Sequence, residues 1–432
     1  MKGHFMHALG ALRSNAEILV NSSMLACGSI VASGTGFVYW WVAAREFPPA
    51  VVGTQAALIS AMALVGMLGD AGFSTLLLGE AGRRGRDSHS LMAAAALAGA
   101  GTALLLAVLA AGVFRYEQRM TGLDALLFII GCALTGFGLV IDNSFIGLGQ
   151  SRLQFVRSLM FSVLKLILLA VVGLVTRAPS AVLLTWVVSL ALTLALSCGY
   201  GWARGVLRLV TPDVRGLMKE IPVVINHHLL NLSAAASGLT LPLVVSFCLG
   251  PAVTAAFYAG WMVRTLIMLL PGSLTTVLFS LDGSAPEVMR QKLRFSLMLS
   301  LAIGGAGLVG FVFFGDLILR MFNPSYPHLA GAAMPMFGIG LIGSAIRQHY
   351  VLLARVRRKM MAASLWLALG GFAELALATL GGLCGDVRWL ALGWVVALSA
   401  TATILARPLF AYLRPPRTTS PVGLAVSPIS RR

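Results

Sequence analysis

Long apolar segments, separated by short polar gaps, follow one another along the whole chain. Runs such as 104–109 (Leu-Leu-Leu-Ala-Val-Leu) show none of the alternation that a transmembrane β-strand requires. Each segment reaches the roughly 20 residues that a helix needs to cross the hydrocarbon core of a bilayer. We number these segments spans 1 to 12, near residues 17–43, 50–78, 91–113, 123–148, 158–176, 181–203, 223–248, 253–280, 295–314, 330–352, 361–384 and 389–412. The pattern predicts an all-α integral membrane protein with twelve transmembrane helices.

Composition and charge agree with this prediction and add an orientation. Hydrophobic residues make up 58% of the 432 positions and charged residues only 11%, which excludes a water-soluble domain. Of the 32 lysines and arginines, 22 lie at the two termini and in the even-numbered gaps, 6 in the odd-numbered gaps and 4 inside spans. Because positively charged loops stay in the cytoplasm, both termini are predicted to be cytoplasmic. The net charge of +17 is then a topology signal, and no nucleic-acid partner is expected.

The two halves of the chain share short sequence features. Pro-Ala-Val occurs at 49–51 and again at 251–253, and about a hundred residues later in each half an apolar span ends in arginines, at 147–152 and at 352–357. Six spans in each half predict parallel repeats, related by a pseudo-twofold axis along the membrane normal, around a central cavity. The predicted parts are an amino-terminal lobe (1–203), a cytoplasmic linker (204–222), a carboxy-terminal lobe (223–413) and a basic, proline-rich cytoplasmic tail (414–432).

The gaps offer no sign of an enzyme. The largest gap on the outward side, 315–329, is too short to fold into a domain. The chain contains no DxD, HExxH, GxxxxGK[ST] or GxSxG motif, so paired acids, metal ligands, a phosphate-binding loop and a nucleophile elbow are all missing. The five cysteines lie inside spans without a CxxC pair. We therefore predict a protein that is not an enzyme and needs no cofactor or metal.

Four lysines and arginines lie inside the spans, and three acids are the clear cases beside them. Each requires a partner, water or a function, because a charge at the centre of a helix costs about 2.5 to 3.5 kcal/mol. They are the bases Lys165, Arg264, Arg347 and Arg407 and the acids Asp70, Asp142 and Glu374. Arg264 and Lys165 lie deep, and with Arg347 they are candidates for binding an anionic substrate. The three acids are candidates for coupling to protons or ions. The alternatives are that the acids only neutralise the bases, and that Arg347 and Arg407 extend to the cytoplasmic surface.

Several runs in both halves resemble one family. They are 44–53 (Ala-Arg-Glu-Phe-Pro-Pro-Ala-Val-Val-Gly), 69–75 (Gly-Asp-Ala-Gly-Phe-Ser-Thr), 249–253 (Leu-Gly-Pro-Ala-Val) and 321–326 (Met-Phe-Asn-Pro-Ser-Tyr). In order and spacing they are similar to bacterial polysaccharide and oligosaccharide-lipid flippases of the multidrug/oligosaccharidyl-lipid/polysaccharide (MOP) exporter superfamily. The resemblance extends over residues 10–412. It departs from the family at 238–249, where relatives often have an acidic residue and this chain has none.

The resemblance implies a flippase in the bacterial plasma (inner) membrane. Such a protein moves a polyprenyl-diphosphate-linked oligosaccharide from the inner to the outer leaflet by alternating access, and basic residues such as Arg264 and Lys165 hold the anionic head. Implied partners are membrane lipids and the glycosyltransferases or polymerase of the same cell-envelope pathway. The alternatives are a multidrug cation antiporter of the same superfamily, a membrane-embedded glycan enzyme, and a scaffold that recruits glycosyltransferases without transporting anything.

Overall fold

The computed structural model describes residues 31–80, 87–116, 120–280 and 286–414, and in these ranges all regular secondary structure is helical. Eleven segments are long and apolar enough to cross a membrane, and the helix at 31–46 is the described part of span 1. The helices are α1 (31–46), α2 (Pro49–Asp70), α3 (Phe73–Glu80), α4 (Asp87–Tyr116), α5 (Gly122–Gly147), α6 (Ser151–Val175), α7 (Ala181–Ala203), α8 (Val214–Leu249), α9 (Pro251–Ser280), α10 (Pro286–Phe322), α11 (Tyr326–Ala330), α12 (Met334–Val356), α13 (Met360–Gly382) and α14 (Val387–Leu413). The prediction of an all-α, multi-pass membrane protein is confirmed.

Burial separates central helices from peripheral ones. Two thirds of the apolar window of α2 is buried inside the protein, whereas only about a quarter of the windows of α4, α6 and α10 is buried. On α4 the leucines Leu105 and Leu109 are 69% and 70% exposed. Exposing this much leucine surface to water would cost free energy, whereas exposing it to the hydrocarbon of a bilayer does not. The outer faces of α4, α6 and α10 therefore face lipid, and α2 lies at the centre of the molecule.

Helix α8 begins earlier than the apolar pattern indicates, inside the segment 204–222 that was predicted to link the lobes. Asp213 caps the helix, since its carboxylate accepts a hydrogen bond from the Gly216 N–H at 2.8 Å. Leu217 and Val224 are buried against residues of α3 and α4. The first turns of α8 are polar enough to escape a hydropathy window, but capping and this apolar contact fold them.

Span 2 is not one continuous helix. Ala71 and Gly72 have φ values of 48° and 89°, which end α2 and restart the chain as α3. The Asp70 carboxylate accepts hydrogen bonds from the Ser74 N–H at 2.9 Å and the Ser74 hydroxyl at 2.7 Å. A side chain at Gly72 would collide with His228 of α8. Glycine is required here both by the left-handed backbone and by the close approach of the other lobe.

The two lobes contact each other at the end of the bundle that holds the α1–α2 and α8–α9 turns, which we call the distal end. Arg45 of α1 donates to the Met321 carbonyl at 2.8 Å, and Asn323 donates to the Ala44 carbonyl at 2.9 Å. Slightly deeper, the rings of Trp40 and Tyr258 meet with their centroids 4.9 Å apart. Hydrogen bonds and aromatic packing thus close the distal end between α1 on one side and α9 and α10 on the other.

At the opposite, proximal end, which contains Leu413, the contacts between the lobes are made by α8. The Asp213 N–H donates to the Ser90 carbonyl at 3.0 Å, and His228 packs against Gly72. By the charge distribution this end is the predicted cytoplasmic side.

The halves repeat the same turn at equivalent places. Leu148, Gly149 and Gln150 connect α5 to α6 with N–H bonds to carbonyls four, three and five residues back, and Arg357, Arg358 and Lys359 connect α12 to α13 with the same three bonds. Gly149 and Arg358 both have a positive φ, of 75° and 54°. These two residues are 209 positions apart. The sequence comparison of 147–152 with 352–357 was therefore displaced by four residues, about one helical turn.

We expect Gly53→Ala to weaken the contact between the lobes. A methyl group at Gly53 of α2 would overlap the backbone carbonyl of Pro251 at the start of α9, which is not free to rotate away. Overpacking of this kind costs about 1 to 3 kcal/mol. Thermal unfolding of the purified protein in detergent should show a lower midpoint for Gly53→Ala. Gly101→Ala on α4 is the matched control, because its methyl would meet nothing within 4 Å. Equal midpoints for both variants would contradict the expectation.

Candidate functional site

Arg264 on α9 is buried in the carboxy-terminal lobe, where no described carboxylate forms a salt bridge with it. The residue is 6% exposed, and its guanidinium packs against two indole rings that contact each other, 4.4 Å from the centroid of Trp261 and 5.1 Å from that of Trp394. Its Nη2 donates to the Ser344 hydroxyl of α12. Its Nε–H has no hydrogen-bond partner among the described residues. Two aromatic faces stabilise the charge, but part of its donor capacity is unused.

Arg347 and Glu374 lie beside this arginine and form an ion pair. Arg347 Nη1 of α12 is 2.8 Å from Oε1 of Glu374 on α13. The other carboxylate oxygen accepts from the Ser237 hydroxyl of α8 at 2.9 Å and from the Trp394 indole N–H of α14 at 3.2 Å. Arg264 is within electrostatic reach of both partners of the pair. Arg347 therefore points into the protein and does not extend to the proximal surface.

Together these residues form what we call the C-lobe cluster: Ser237, Trp261, Arg264, Ser344, Arg347, Glu374 and Trp394. It contains two guanidinium groups and a single carboxylate, so one positive charge lacks a counter-charge within the cluster. All members except Arg347 and Trp261 are buried. A buried cation with unused donors can bind an anion, and a guanidinium suits phosphate or carboxylate oxygens because it can donate to two of them at once.

Lys165 is held in the amino-terminal lobe in a different way. Its Nζ lies 4.1 Å from the ring centroid of Trp186, 4.8 Å from that of Phe161 and 5.5 Å from that of Tyr39. The residue is 4% exposed. These three rings act together in place of a counter-ion, because each presents the negative face of its π-system to the ammonium group.

The structure places Lys165 and Arg264 in separate clusters. From Lys165 a row of ring contacts runs through Trp186 and Trp40 to Tyr258 of α9, with successive centroids 6.5 Å and 4.9 Å apart. Tyr258 is six residues before Arg264 on α9. The ring contacts of Lys165 thus cross to the other lobe and end on the helix that carries Arg264.

Lys165 and Glu374 occupy the same position in the two repeats. Lys165 and Glu374 are 209 positions apart in the sequence. Gly149 and Arg358, in the turns that precede them, have the same separation. The buried faces of α6 and α13 agree with this register, since buried residues coincide at four places: Ser162 with Gly371, Lys165 with Glu374, Leu169 with Ala378 and Gly173 with Gly382. One lobe therefore has a buried base where the other has a buried acid.

The two remaining candidate acids have local partners. Asp142 on α5 forms a two-pronged ion pair with Arg157 on α6, through Nε and Nη2. Asp70 caps α3 and lies near His228. Neither acid belongs to the C-lobe cluster. Arg407 is exposed at the proximal end of α14, as expected for an arginine that extends to the membrane surface.

Sequence reasoning identified the ionisable members of the C-lobe cluster but not the residues that position them. Ser237, Ser344, Trp261 and Trp394 gave no signal, because serines and tryptophans in a transmembrane span are common at helix contacts and at lipid faces alike. In the part of the chain that the structure describes, no three potential metal ligands come together.

No protein-family model and no curated protein sequence matches this chain. Solved structures do. A multidrug resistance MATE family transporter of the MOP superfamily, in an inward-facing conformation, superposes with a TM-score of 0.65 at 14% identity and covers 89% of this chain and 95% of its own. MATE in complex with MaD5 gives 0.63 at 14% identity, over 91% and 96%. A MOP superfamily transporter from Pyrococcus furiosus gives 0.63 at 14% identity, also over 91% and 96%.

These likenesses establish the fold. The chain has the twelve-helix, two-lobe architecture of MATE transporters of the MOP superfamily, which confirms the predicted fold class. An outward-facing conformation of a multidrug resistance MATE family transporter of the MOP superfamily gives a TM-score of 0.63 at 13% identity, close to the value for the inward-facing one.

Proposed function

We propose that this protein is a flippase that moves a polyprenyl-diphosphate-linked oligosaccharide from the inner to the outer leaflet of the bacterial plasma membrane by alternating access. The observation that supports it is Arg264, a buried arginine that forms no salt bridge with a described carboxylate and whose Nε–H has no partner among the described residues. A group in this state favours a negatively charged ligand, because the ligand supplies both the missing charge and the missing acceptor.

The two-lobe fold supports the transport mechanism. The lobes meet through α1, α2 and α4 on one side and α8, α9 and α10 on the other, and these contacts lie at both ends of the bundle. Opening one set while the other holds would give a ligand access from one side at a time. The glycan's lipid tail would stay in the bilayer while the diphosphate reaches Arg264 in the carboxy-terminal lobe.

The direction of transport agrees with the charge of such a substrate. With both termini in the cytoplasm, the lipid-linked precursor is made on the proximal side and leaves at the distal side. Moving a negative charge out of a cell that is negative inside gains about 2.3 kcal/mol per charge for each 100 mV. Glycosyltransferases and a polymerase of the same pathway are the partners we propose, since one supplies the lipid-linked glycan and the other consumes it.

A multidrug cation antiporter is the second candidate, because several structures with this fold are described as multidrug resistance transporters. An organic cation would require an acidic pocket. In this chain the single carboxylate of the C-lobe cluster is already bound by Arg347, Ser237 and Trp394. The Pyrococcus furiosus transporter, whose reverse pocket polarity is described as suggesting a different function, shows that the fold is not restricted to one pocket charge.

Transport by the purified protein tests the proposal. The protein is reconstituted in liposomes with a fluorescent farnesyl-diphosphate-linked N-acetylglucosamine, and reduction of the fluorophore by external dithionite reports which leaflet the probe occupies. We expect the protein to make the inner-leaflet probe accessible, and to leave the distribution of ethidium unchanged under a proton gradient. Proton-driven accumulation of ethidium without movement of the glycolipid would overturn the proposal and favour the antiporter.

A further inference from the structure

The least expected feature of the C-lobe cluster is how completely Glu374 is engaged. Each of its oxygens is used: one binds Arg347, and the other accepts two hydrogen bonds, from Ser237 and Trp394. The side chain is 1% exposed. Its partners come from α8, α12 and α14, so the carboxylate joins three helices of the carboxy-terminal lobe around α13.

This carboxylate occupies the place that a substrate anion would need. Arg347 and Arg264 are neighbours, and a diphosphate bound to Arg264 would bring its oxygens into competition with Glu374 for Arg347. A guanidinium that leaves one carboxylate for another anion loses little, because it exchanges one charge-assisted hydrogen bond for another. Leaving without an anion to replace it would be costly.

We propose that Glu374 is an internal counter-anion, which holds Arg347 in the empty transporter and gives it up to the anionic group of the substrate. The binding site for that group is then Arg264 and Arg347 together. The inference rests on the proposed function, since it takes the ligand to be an anion. It assigns to Glu374 a specificity role: an anion too weakly charged to displace the carboxylate would meet Arg264 alone.

The repeat supports this role for Glu374. At the equivalent position of the amino-terminal lobe stands Lys165, which is stabilised by aromatic rings with no carboxylate among its described contacts. The six-helix lobe can thus fold without an acid at the position that Glu374 occupies. Glu374 is present together with Arg347, and the charge of this guanidinium accounts for the burial of the carboxylate.

The groups bound to Glu374 differ in charge. Arg347 of α12 is its charged partner, while α8 and α14 contribute the uncharged Ser237 and Trp394. A carboxylate that gives up Arg347 therefore keeps two neutral hydrogen-bond donors in place.

Binding measurements on two single variants test the inference. The probe is the fluorescent farnesyl-diphosphate-linked N-acetylglucosamine, titrated against the protein in lipid nanodiscs, with inorganic pyrophosphate as a competitor. Glu374→Gln removes the competing charge, and we expect the Kd for the probe to fall by about tenfold. Arg347→Gln removes one of the two guanidinium groups, and we expect the Kd to rise by about tenfold. Glu374→Asp keeps the charge and should stay near the wild-type value.

Opposite signs for the two variants distinguish this role from a merely structural ion pair, which would make both variants bind more weakly. Glu287→Gln is the matched control, an acid paired with Arg290 at the proximal surface, and its Kd should not change. Unchanged or weaker binding by Glu374→Gln overturns the inference. If that variant does not fold, Arg347→Gln is titrated with inorganic pyrophosphate and with acetate. We then expect only pyrophosphate to bind more weakly, because the weakly charged acetate meets Arg264 alone, and equal weakening of both overturns the inference. If wild-type protein binds ethidium and not the probe, the proposed function itself fails.

Discussion

Arg264→Ala is expected to leave the protein in the membrane and to stop transport of the glycolipid probe. The side chain supplies the unpaired charge of the C-lobe cluster, and alanine removes it together with at least two charge-assisted hydrogen bonds to the ligand. At about 1.5 kcal/mol for each bond, the loss is about 3 kcal/mol, or roughly a hundredfold in affinity. Arg264→Lys restores the charge without the two-pronged geometry, so transport should recover in part.

The measurement for Arg264 is the rate of dithionite-accessible probe movement in proteoliposomes, normalised to the amount of reconstituted protein. Arg388→Ala is the matched control, because Arg388 is exposed at the distal end of α14 and makes no side-chain contact with the C-lobe cluster. We expect the wild-type rate for that variant. A wild-type rate for Arg264→Ala would show that the anion binds elsewhere, and Lys165 would be the next base to substitute.

Asp142→Asn is expected to destabilise the amino-terminal lobe severely. The Asp142 and Arg157 side chains are 17% and 8% exposed, and they pair through two hydrogen bonds across the α5–α6 contact. Removing one partner of a buried pair leaves the other charge uncompensated, which costs about 3 to 5 kcal/mol. Thermal unfolding in detergent should show a lower midpoint and a smaller yield of monodisperse protein.

A charge exchange separates the pair from other effects of the substitution. In the double variant Asp142→Arg with Arg157→Asp, the two charges remain together, and we expect much of the lost stability to return. Arg290→Gln, which breaks the exposed pair with Glu287 on α10, should cost less than about 1 kcal/mol. If Asp142→Asn unfolds at the wild-type midpoint, the pair is not a structural element and Asp142 returns as a candidate for proton coupling.

The sequence was a good guide to the helices because the bilayer itself sets their length. Any segment of about 20 apolar residues must cross, so spans 2 to 12 were predicted within a few residues of most observed helices. Two of the exceptions have local causes, while α6 and α10 begin seven and nine residues before their predicted spans. Helix α8 begins at Val214 because Asp213 caps it, and span 2 breaks at Gly72 because two residues adopt left-handed backbone conformations. Capping and turn geometry of this kind leave no trace in hydropathy.

The candidate site was only half predictable. A charge inside an apolar span is conspicuous, and Arg264, Arg347 and Glu374 could be found from that alone. Their partners could not, because Ser344 and Ser237 lie 80 and 137 residues away from the charged residues they bind. Lys165 and Arg264 were expected to bind one head group together. This stays a prediction, and the two residues lie in separate clusters of side chains.

The equivalence of Lys165 and Glu374 also bears on the history of the chain. If the halves descend from one duplicated gene, an ancestral pair of identical lobes would have carried the same side chain at both positions. Two bases or two acids at these positions would have given both lobes the same buried charge. Because Lys165 is a base and Glu374 is an acid, the two halves are no longer interchangeable. A protein assembled from two copies of either half would then lose the electrical asymmetry that this chain has, whichever half was copied.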